Sequence, residues 1–382
     1  MTRTPAPVPS PTADSCPELA QLIARVQRNC DIADARFAGN ATLCIYLLEM
    51  REFYRWEQGQ DLQAELDRQA VGDWVIAREQ HWEALEDAEL EPLILDGIAH
   101  DPFDEEAINR KLAARGLAYG AGYGQGGRPV FFLGRLDHLE AFDGYRIHIV
   151  GEELARDLAA PPAMSREGRI FMRRESVRRM VVEAVEAWQA RGRPDDGMGR
   201  ALRAYGHDPD HAPPLERMVD GELEAAVWHE VGEVLAGNFL GPAWQECLSE
   251  VLGTREERVL RAVRDHLADM LVTLPALLSG TGDGSLHLYF ARLGGLRAAL
   301  FPQLHDAYEQ AIREESPEAI RRLVVPAREH WLATARELLE QAPEHWPAAD
   351  HQLPALQPVL PRSPVTKTDR SPPGADSADR WG

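Results

Sequence analysis

The chain has 382 residues, 44% of them hydrophobic and 27% charged, which is an ordinary composition for globular domains. This length allows two or three domains and more than one buried core. A formal net charge of -21 opposes nonspecific binding to nucleic acid or to an anionic membrane, whereas metal cations would be attracted. The N-terminus lacks the apolar core of a secretory signal, and no apolar run approaches the roughly 18 residues of a membrane span. We therefore expect a cytoplasmic protein.

The N-terminal part is predicted to be helical after a disordered start. Residues 1–15 are rich in proline, threonine and serine and are expected to be disordered. Residues 16–100 form the first predicted unit, which opens with an amphipathic helix whose apolar side chains follow the helical repeat. Residues 40–57 are apolar nearly all the way round, so they are predicted to form a core helix whose charged side chains need partners. Further helices are predicted over residues 61–85 and 89–99.

A small α+β unit is predicted over residues 101–165. Its helix, residues 104–114, is followed by a glycine-rich segment, residues 116–129, and then by apolar strand signals. The glycine-rich segment lacks the Lys-Ser/Thr ending of a phosphate-binding P-loop, and it opens no helix. We predict a three-stranded antiparallel sheet in which this segment is a structural turn, with a ligand-binding flap as the alternative.

Residues 166–344 are predicted to form a helical bundle. Seven prolines mark the segment after it, residues 345–382, as a disordered tail. The bundle begins with a predicted long helix, residues 166–191, whose first half is rich in arginine. This cluster would dock against acidic helices of the same protein or, alternatively, bind an acidic or phosphorylated partner. The arginines are Arg166, Arg169, Arg173, Arg174, Arg178 and Arg179.

Residues 215–240 are the only stretch in which metal-ligand residue types recur at helical spacing. Three of its side chains fall within roughly 40° of one another on a helix, and the following helix, residues 255–274, adds two more. Facing helices can build metal sites from such side chains, because they hold ligands rigidly and exclude water. The mixture of imidazole and carboxylate suits iron, manganese or zinc. The predicted metal ligands are Glu222, His229, Glu233, His266 and Asp269.

An alternative for the same side chains is a solvated or ion-paired helix face, because the apolar arc of this helix lies opposite to them. Small residues beside the stripe, among them Ala226 and Gly237, permit the close approach of a second helix. Residues 229–233 also resemble the HExxH helix of zinc peptidases. Glu233 stands in place of the second histidine, so peptidase activity is not expected.

Three segments, residues 30–57, 116–136 and 222–233, resemble those of an uncharacterised bacterial protein family of unknown function. The resemblance spans most of the chain outside the tails, and it implies no residue roles.

The predicted fold is mainly α (α+β), a helical bundle with a small antiparallel β-sheet insert. The leading functional interpretation is a helical metal-binding protein, either an oxidoreductase or a hydrolase. The alternative is a non-enzymatic interaction or scaffold protein that uses the arginine cluster and the acidic surface. A third interpretation, a winged-helix-like nucleic-acid binder, is opposed by the overall charge and depends on a local basic patch. The patch consists of Arg110, Lys111, Arg115 and Arg128.

Overall fold

The structure is a computed structural model and describes residues 4–6, 17–40, 42–166, 168–191, 195–208, 211–280 and 283–340. Within these ranges the protein is mainly helical, with a curled mixed sheet and a separate hairpin, which confirms the predicted fold class. No described helix is long and apolar enough to cross a lipid bilayer. Of the predicted disordered start, only Thr4–Ala6 is described, and it forms a strand. The rest of that start and the predicted tail, residues 345–382, lie outside the described residues.

Helices account for most of the described chain. Those of the first half are α1 (Pro17–Phe37), α2 (Leu43–Glu57), α3 (Arg68–Glu83) and α4 (Glu105–Leu112). Those of the second half are α5 (Arg174–Arg191), α6 (Gly197–Ala204), α7 (Leu215–Leu240), α8 (Pro242–Glu250), α9 (Arg255–Ala268), α10 (Leu274–Ser279), α11 (Gly284–Arg292), α12 (Gly295–Leu300), α13 (Pro302–Arg313) and α14 (Glu318–Glu340). A π-helical segment, Asp269–Thr273, joins α9 to α10. Pro275 has no N–H to donate to the carbonyl of Leu271, as an α-helix would require. The loss of this hydrogen bond favours the wider π-helical turn.

The described strands form one six-stranded sheet and one two-stranded hairpin. They are β1 (Thr4–Ala6), β2 (Leu93–Leu95), β3 (Ile98–His100), β4 (Leu117–Tyr123), β5 (Pro129–Phe142), β6 (Tyr145–Arg156), β7 (Ala163–Arg166) and β8 (Arg169–Arg173). The order in the large sheet is β1-β5-β6-β8-β7, and β4 also pairs with β5. Strand β8 lies between β6 and β7 in the sheet. It pairs antiparallel with β7 and parallel with β6. The sheet is therefore larger than the predicted three strands, and it is mixed.

The glycine-rich segment contributes a strand, β4, as well as the turn to β5. Gly120 packs so closely under an aromatic ring that a Cβ there would lie 2.1 Å from Cε1 of Phe132. Gly126, in the turn, has a φ of 70°, which favours glycine. The predicted turn is thus present, but half of the segment is buried sheet.

The predicted helix over residues 89–99 is wrong, because this segment forms the hairpin β2–β3. Asp96 and Gly97 make its two-residue turn, with φ values of 52° and 75°. An Asp-Gly pair between short apolar runs is a strong hairpin signal, and here it prevails over the helical pattern.

The predicted helix over residues 166–191 is wrong in its first part. The chain forms the hairpin β7–β8 there, and helix α5 begins at Arg174. Gly168, with a φ of 79°, lies in the turn of this hairpin. Ile170, Phe171 and Met172 are fully buried, because β8 is an interior strand of the sheet.

Helix α2 is only half a core helix. Met50, Phe53 and Tyr54 in its second half are buried, as the apolar pattern predicts. The first half is exposed: the exposed fractions of Leu43, Ile45, Leu47 and Leu48 are 71%, 52%, 50% and 51%. Its charged side chains pair in part with one another, because Glu52 contacts Arg51 and Arg55 of the same helix.

Helix α7 lies between two apolar cores. Val227 and Val231 on one side pack in a core with Ile147 of β6 and with helix α5. Ala236, near its C-terminal end, packs in a second core built from α8 to α14. Consequently α7 faces the sheet on one side and α9 on the other.

Candidate metal centre

Helices α7 and α9 cross closely at Gly232. A Cβ on Gly232 would lie 2.6 Å from the carbonyl oxygen of Ala268, so the contact depends on glycine. The polar stripe of α7 therefore faces α9 and the π-helical segment instead of open water. These elements therefore cover the stripe, as a buried site on it requires.

Asp269, in the π-helical segment, fixes the orientation of His229 on α7. Nδ1 of His229 lies 3.0 Å from Oδ1 of Asp269, so Nδ1–H donates to the carboxylate and Nε2 is turned away from it. The other oxygen of Asp269 accepts a hydrogen bond of 2.6 Å from the hydroxyl of Tyr289 and contacts Arg297. Burial alone raises the pKa of Asp269, but Arg297 and His229 hold it well below its usual range. Metal-binding histidines are commonly held by a carboxylate in this way.

Nε2 of His229 faces a pair of carboxylates. Oε1 of Glu233, one turn further along α7, lies 3.4 Å from this nitrogen. Potential ligand atoms of His229, Glu233 and Asp265 all lie within 4.8 Å of one another. No other group of three or more such side chains is found in the described part of the chain. We call these three residues the His-Glu-Asp group.

Arg264 lies beside both carboxylates of the group. Its Nη2 is 2.7 Å from Oε2 of Glu233 and 3.3 Å from Oδ1 of Asp265. Burial favours the neutral form of Glu233, but Arg264 and His229 lower its pKa to about 2. Burial, and then the charge of Glu233, raise the pKa of Asp265. Two like charges thus lie side by side, and a nearby cation relieves their repulsion.

The protonation of His229 follows from the same contacts. Burial disfavours its charged form, but the bonds to Asp269 and Glu233 raise the pKa of His229 well above its usual value. The positive charge beside the carboxylates can therefore be a proton on Nε2. A metal ion in the same position would replace that proton.

Of the five predicted ligands, His229 and Glu233 lie in the group and Asp269 lies behind it, while Glu222 and His266 do not join them. Glu222 is buried and faces α11, with Oε2 3.7 Å from Nη1 of Arg292. Its burial raises its pKa to about 7. The ring of His266 stacks on Trp331 with centroids 4.5 Å apart, and its Nε2 lies 3.0 Å from the carbonyl oxygen of Arg297. Burial lowers its pKa to about 4.

Asp265 was missed by the sequence prediction. A signal was present, because Asp265 and Asp269 are four residues apart and so share a face of a helix. The prediction selected His266 instead, which is the better ligand type but points into the apolar core.

The arginines of the predicted basic helix are divided between strands and helix. Arg173 is fully buried and makes a bidentate pair with Glu153, and Arg169 pairs with Glu105. Arg174 and Arg178 contact Glu216 of α7. These contacts agree with docking inside the protein, and an acidic or phosphorylated partner stays a prediction.

The basic patch of the winged-helix interpretation also faces acidic neighbours. Lys111 and Arg115 both contact Asp96, at 3.1 and 2.8 Å. Arg128 contacts the buried carboxylate of Asp34. A nucleic acid would have to displace these carboxylates.

The His-Glu-Asp group borders a cleft of about 1010 Å³ between the sheet and helices α7 to α9. Glu233 and Arg264 lie in its wall, and Gly122 and Gly124 line the opposite side. The glycine-rich segment therefore faces the same cleft as the group.

Comparisons with known proteins identify the family. Residues 21–173 match the model of the N-terminal domain of a family of unknown function, DUF6866, and residues 178–358 match the model of its C-terminal domain. No curated protein and no solved structure matches the chain. The two matched regions cover most of the sequence, and they meet at the cleft. The resemblance to a family of unknown function is thereby confirmed, and this chain belongs to the DUF6866 family.

Proposed function

We propose that the protein binds a divalent transition-metal ion, iron, manganese or zinc, through Nε2 of His229 and the carboxylates of Glu233 and Asp265. The observation that carries the proposal is that one potential ligand atom from each of the three side chains lies within 4.8 Å of the others. Asp269 supports it, because the carboxylate behind His229 leaves Nε2 for the ion. One imidazole and two carboxylates form a donor set that suits these metals better than calcium or magnesium.

The position of the group favours a reactive site over a purely structural one. Structural zinc sites are closed by four protein ligands, whereas three protein ligands leave a position for water or substrate. Glu233 lies in the wall of the cleft, so the open coordination position of the ion can face a molecule bound in the cleft. We infer a metal-dependent hydrolase or oxidoreductase, and we expect it in the cytoplasm.

The proposal is tested by inductively coupled plasma mass spectrometry on full-length protein purified from medium supplemented with iron, manganese and zinc. Wild-type protein is expected to retain one of these metals near stoichiometry after dialysis. His229→Ala and Asp265→Asn should each lose it, because each variant removes one of three ligands.

Glu222→Gln is the matched control. Glu222 is a buried carboxylate on the same helix, but it faces Arg292 and lies outside the group. This variant should keep the metal, and circular dichroism should show all three variants folded. Absence of metal from the wild type, or retention of metal by His229→Ala and Asp265→Asn alike, would overturn the proposal.

An interaction protein is the second candidate, and the exposed apolar first half of α2 favours it. Large exposed apolar patches on proteins commonly mark contact surfaces. A second copy of this chain is the simplest partner, because a twofold arrangement buries the exposed first half of α2 in both copies at once. We expect light scattering after size exclusion to show a dimer that Leu43→Glu with Leu47→Glu converts to a monomer. Ile94→Glu, an exposed apolar position on another surface, is the control, and a monomeric wild type contradicts this candidate.

A further inference from the structure

The cleft beside the His-Glu-Asp group has the size of a small-molecule site. Its volume of about 1010 Å³ is at the upper end of the range of ligand pockets, roughly 300–1,000 Å³. Its walls come from both matched regions of the chain, with β4 and β7 on one side and α7 to α9 on the other. Sites between two parts of a protein are common places for ligands.

Arginines slightly outnumber acidic residues among the residues that line the cleft, the reverse of the balance in the whole chain. Arg166, Arg261 and Arg264 line it, against Glu230 and Glu233. The whole chain has 41 lysines and arginines against 62 aspartates and glutamates. A concave surface of low dielectric concentrates the field of its cations, so this cleft would attract an anion that the rest of the surface repels.

The two arginines of α9 are placed to bind together. Arg261 and Arg264 are three residues apart, so they are neighbours on one helix face. Nε of Arg261 lies 2.7 Å from Oε1 of Glu257, which holds this side chain in place. Nε of Arg264 is buried and has no hydrogen-bond partner among the described residues. An unsatisfied buried donor on a charged group is costly, so a water molecule or a ligand oxygen has a place there.

Neutral groups complete the wall. The amide of Gln245 on α8 lines the cleft beside the arginines. Gly122 and Gly124 line the sheet side, where packing is tight: a Cβ would lie 3.3 Å from Cε of Met164 at Gly122 and 3.2 Å from Cγ2 of Val130 at Gly124. The cleft thus combines neighbouring guanidinium groups and an amide in its wall.

We propose that this cleft binds a small organic anion through a carboxylate or phosphate group that contacts Arg261 and Arg264. Guanidinium groups recognise both oxyanions through charge-assisted hydrogen bonds. The inference deepens the proposed function by naming the class of its substrate. The arginines belong to the protein itself, however, so anion binding does not require the metal.

The test measures binding of malonate and of inorganic phosphate to full-length protein that has been stripped of metal with a chelator and then dialysed free of the chelator, by isothermal titration calorimetry and thermal shift. Sodium chloride keeps the ionic strength constant. We expect saturable binding of at least one of the two probes at millimolar concentrations. Arg261→Gln should weaken it by about tenfold, because one charged hydrogen-bond donor is lost.

Arg258→Gln is the matched control, since Arg258 is an exposed residue of the same helix and does not line the cleft. It should bind like the wild type. Gln245→Ala, which removes a neutral wall group, serves as a second variant if Arg261→Gln does not fold, and it should also weaken binding.

The two probes distinguish the ligand class: a response to phosphate alone indicates a phosphorylated ligand, and a response to malonate alone indicates a carboxylic acid. Binding of neither probe, or equal losses in Arg261→Gln and Arg258→Gln, would overturn the inference. The binding measurement is made without metal. Its result therefore tests anion binding even if the protein binds no metal.

Discussion

Two buried polar clusters of this protein are built from the same residue types and have opposite characters. In the first, Arg173 of β8 donates to both oxygens of Glu153, at 3.0 and 2.7 Å, and neither side chain is exposed. Ser176 donates a further bond to the same carboxylate. Burial alone raises the pKa of Glu153, but Arg173 and Arg156 lower it to about 2. This cluster is closed and almost fully buried.

The His-Glu-Asp group is not closed. It sets Glu233 beside Asp265, shares Arg264 between them, and borders a cleft. The difference teaches how to separate a structural cluster from a candidate site. In the first cluster two arginines, Arg173 and Arg156, surround one fully buried carboxylate, whereas in the second two carboxylates share Arg264 at the edge of a cleft that a ligand can enter.

The largest expected effect comes from breaking the closed pair. Arg173→Met should lower the free energy of unfolding by about 3–5 kcal/mol, because it removes the bidentate partner of the buried Glu153 carboxylate and leaves only Arg156 and Ser176. Urea unfolding at pH 7 measures this. Arg135→Met is the control: Arg135 pairs with Glu152 on the surface, where both side chains are about half exposed, so the change should be below about 1 kcal/mol. Equal losses in the two variants would contradict the contrast between buried and exposed pairs.

Much of the fold could be predicted from the sequence, because local patterns determine it. The helical repeat and the helix-ending glycines of residues 215–240 identify α7, and the strand signals near residues 130 and 145 identify β5 and β6. The arginine segment failed because its pattern is ambiguous. Arg169 and Arg173 are four residues apart and so resemble a helix face, yet an interior position in the sheet prevails.

The candidate site could be predicted only in part, because it depends on the packing of two helices. The spacing on α7 placed His229 and Glu233 together, as found. It could not show that Gly232 brings α7 against Ala268, or that the π-helical turn directs Asp269 to His229. For the same reason Asp265 was missed and His266 was wrongly paired with them, since the direction of a side chain on the second helix is set by that contact.

Asp269→Asn tests whether the carboxylate behind His229 matters to the proposed metal. The metal affinity of the variant should fall by about 10–100-fold, because the amide orients the imidazole less well and makes it less basic. Competition against a fluorescent zinc chelator gives the affinity. Tyr289→Phe removes a single bond to Asp269 and should have a smaller effect. Unchanged affinity in Asp269→Asn would show that Asp269 belongs to a structural ion pair, like Glu153.

Gly232→Ala tests the helix crossing that assembles the group. The new Cβ would lie 2.6 Å from a backbone oxygen, so the helices must separate. We expect a loss of about 2 kcal/mol, in which overpacking exceeds the gain of about 1 kcal/mol in helix propensity. Gly72→Ala on α3 is the matched control, because nothing lies within 4 Å of its new Cβ. That variant should be more stable by about 0.5–1 kcal/mol. A stabilised Gly232→Ala would contradict the close approach.

The smallest expected effect is a pH dependence of the free energy of unfolding that comes from His148 of β6. Its ring stacks on Phe171 with centroids 4.6 Å apart, and burial lowers its pKa from the usual 6.5 to about 4. Above pH 6.5 this histidine is neutral in the folded and the unfolded chain, so it adds no pH dependence. As the pH falls from 6.5 to 4, the unfolded chain takes up a proton that the folded protein refuses, and stability is lost. Over this range wild-type protein should lose about 1–2 kcal/mol more than His148→Gln in urea unfolding. His138→Gln, an exposed position on the neighbouring strand, should behave like the wild type. A His148→Gln curve parallel to that of the wild type would mean that His148 takes up its proton in the folded sheet.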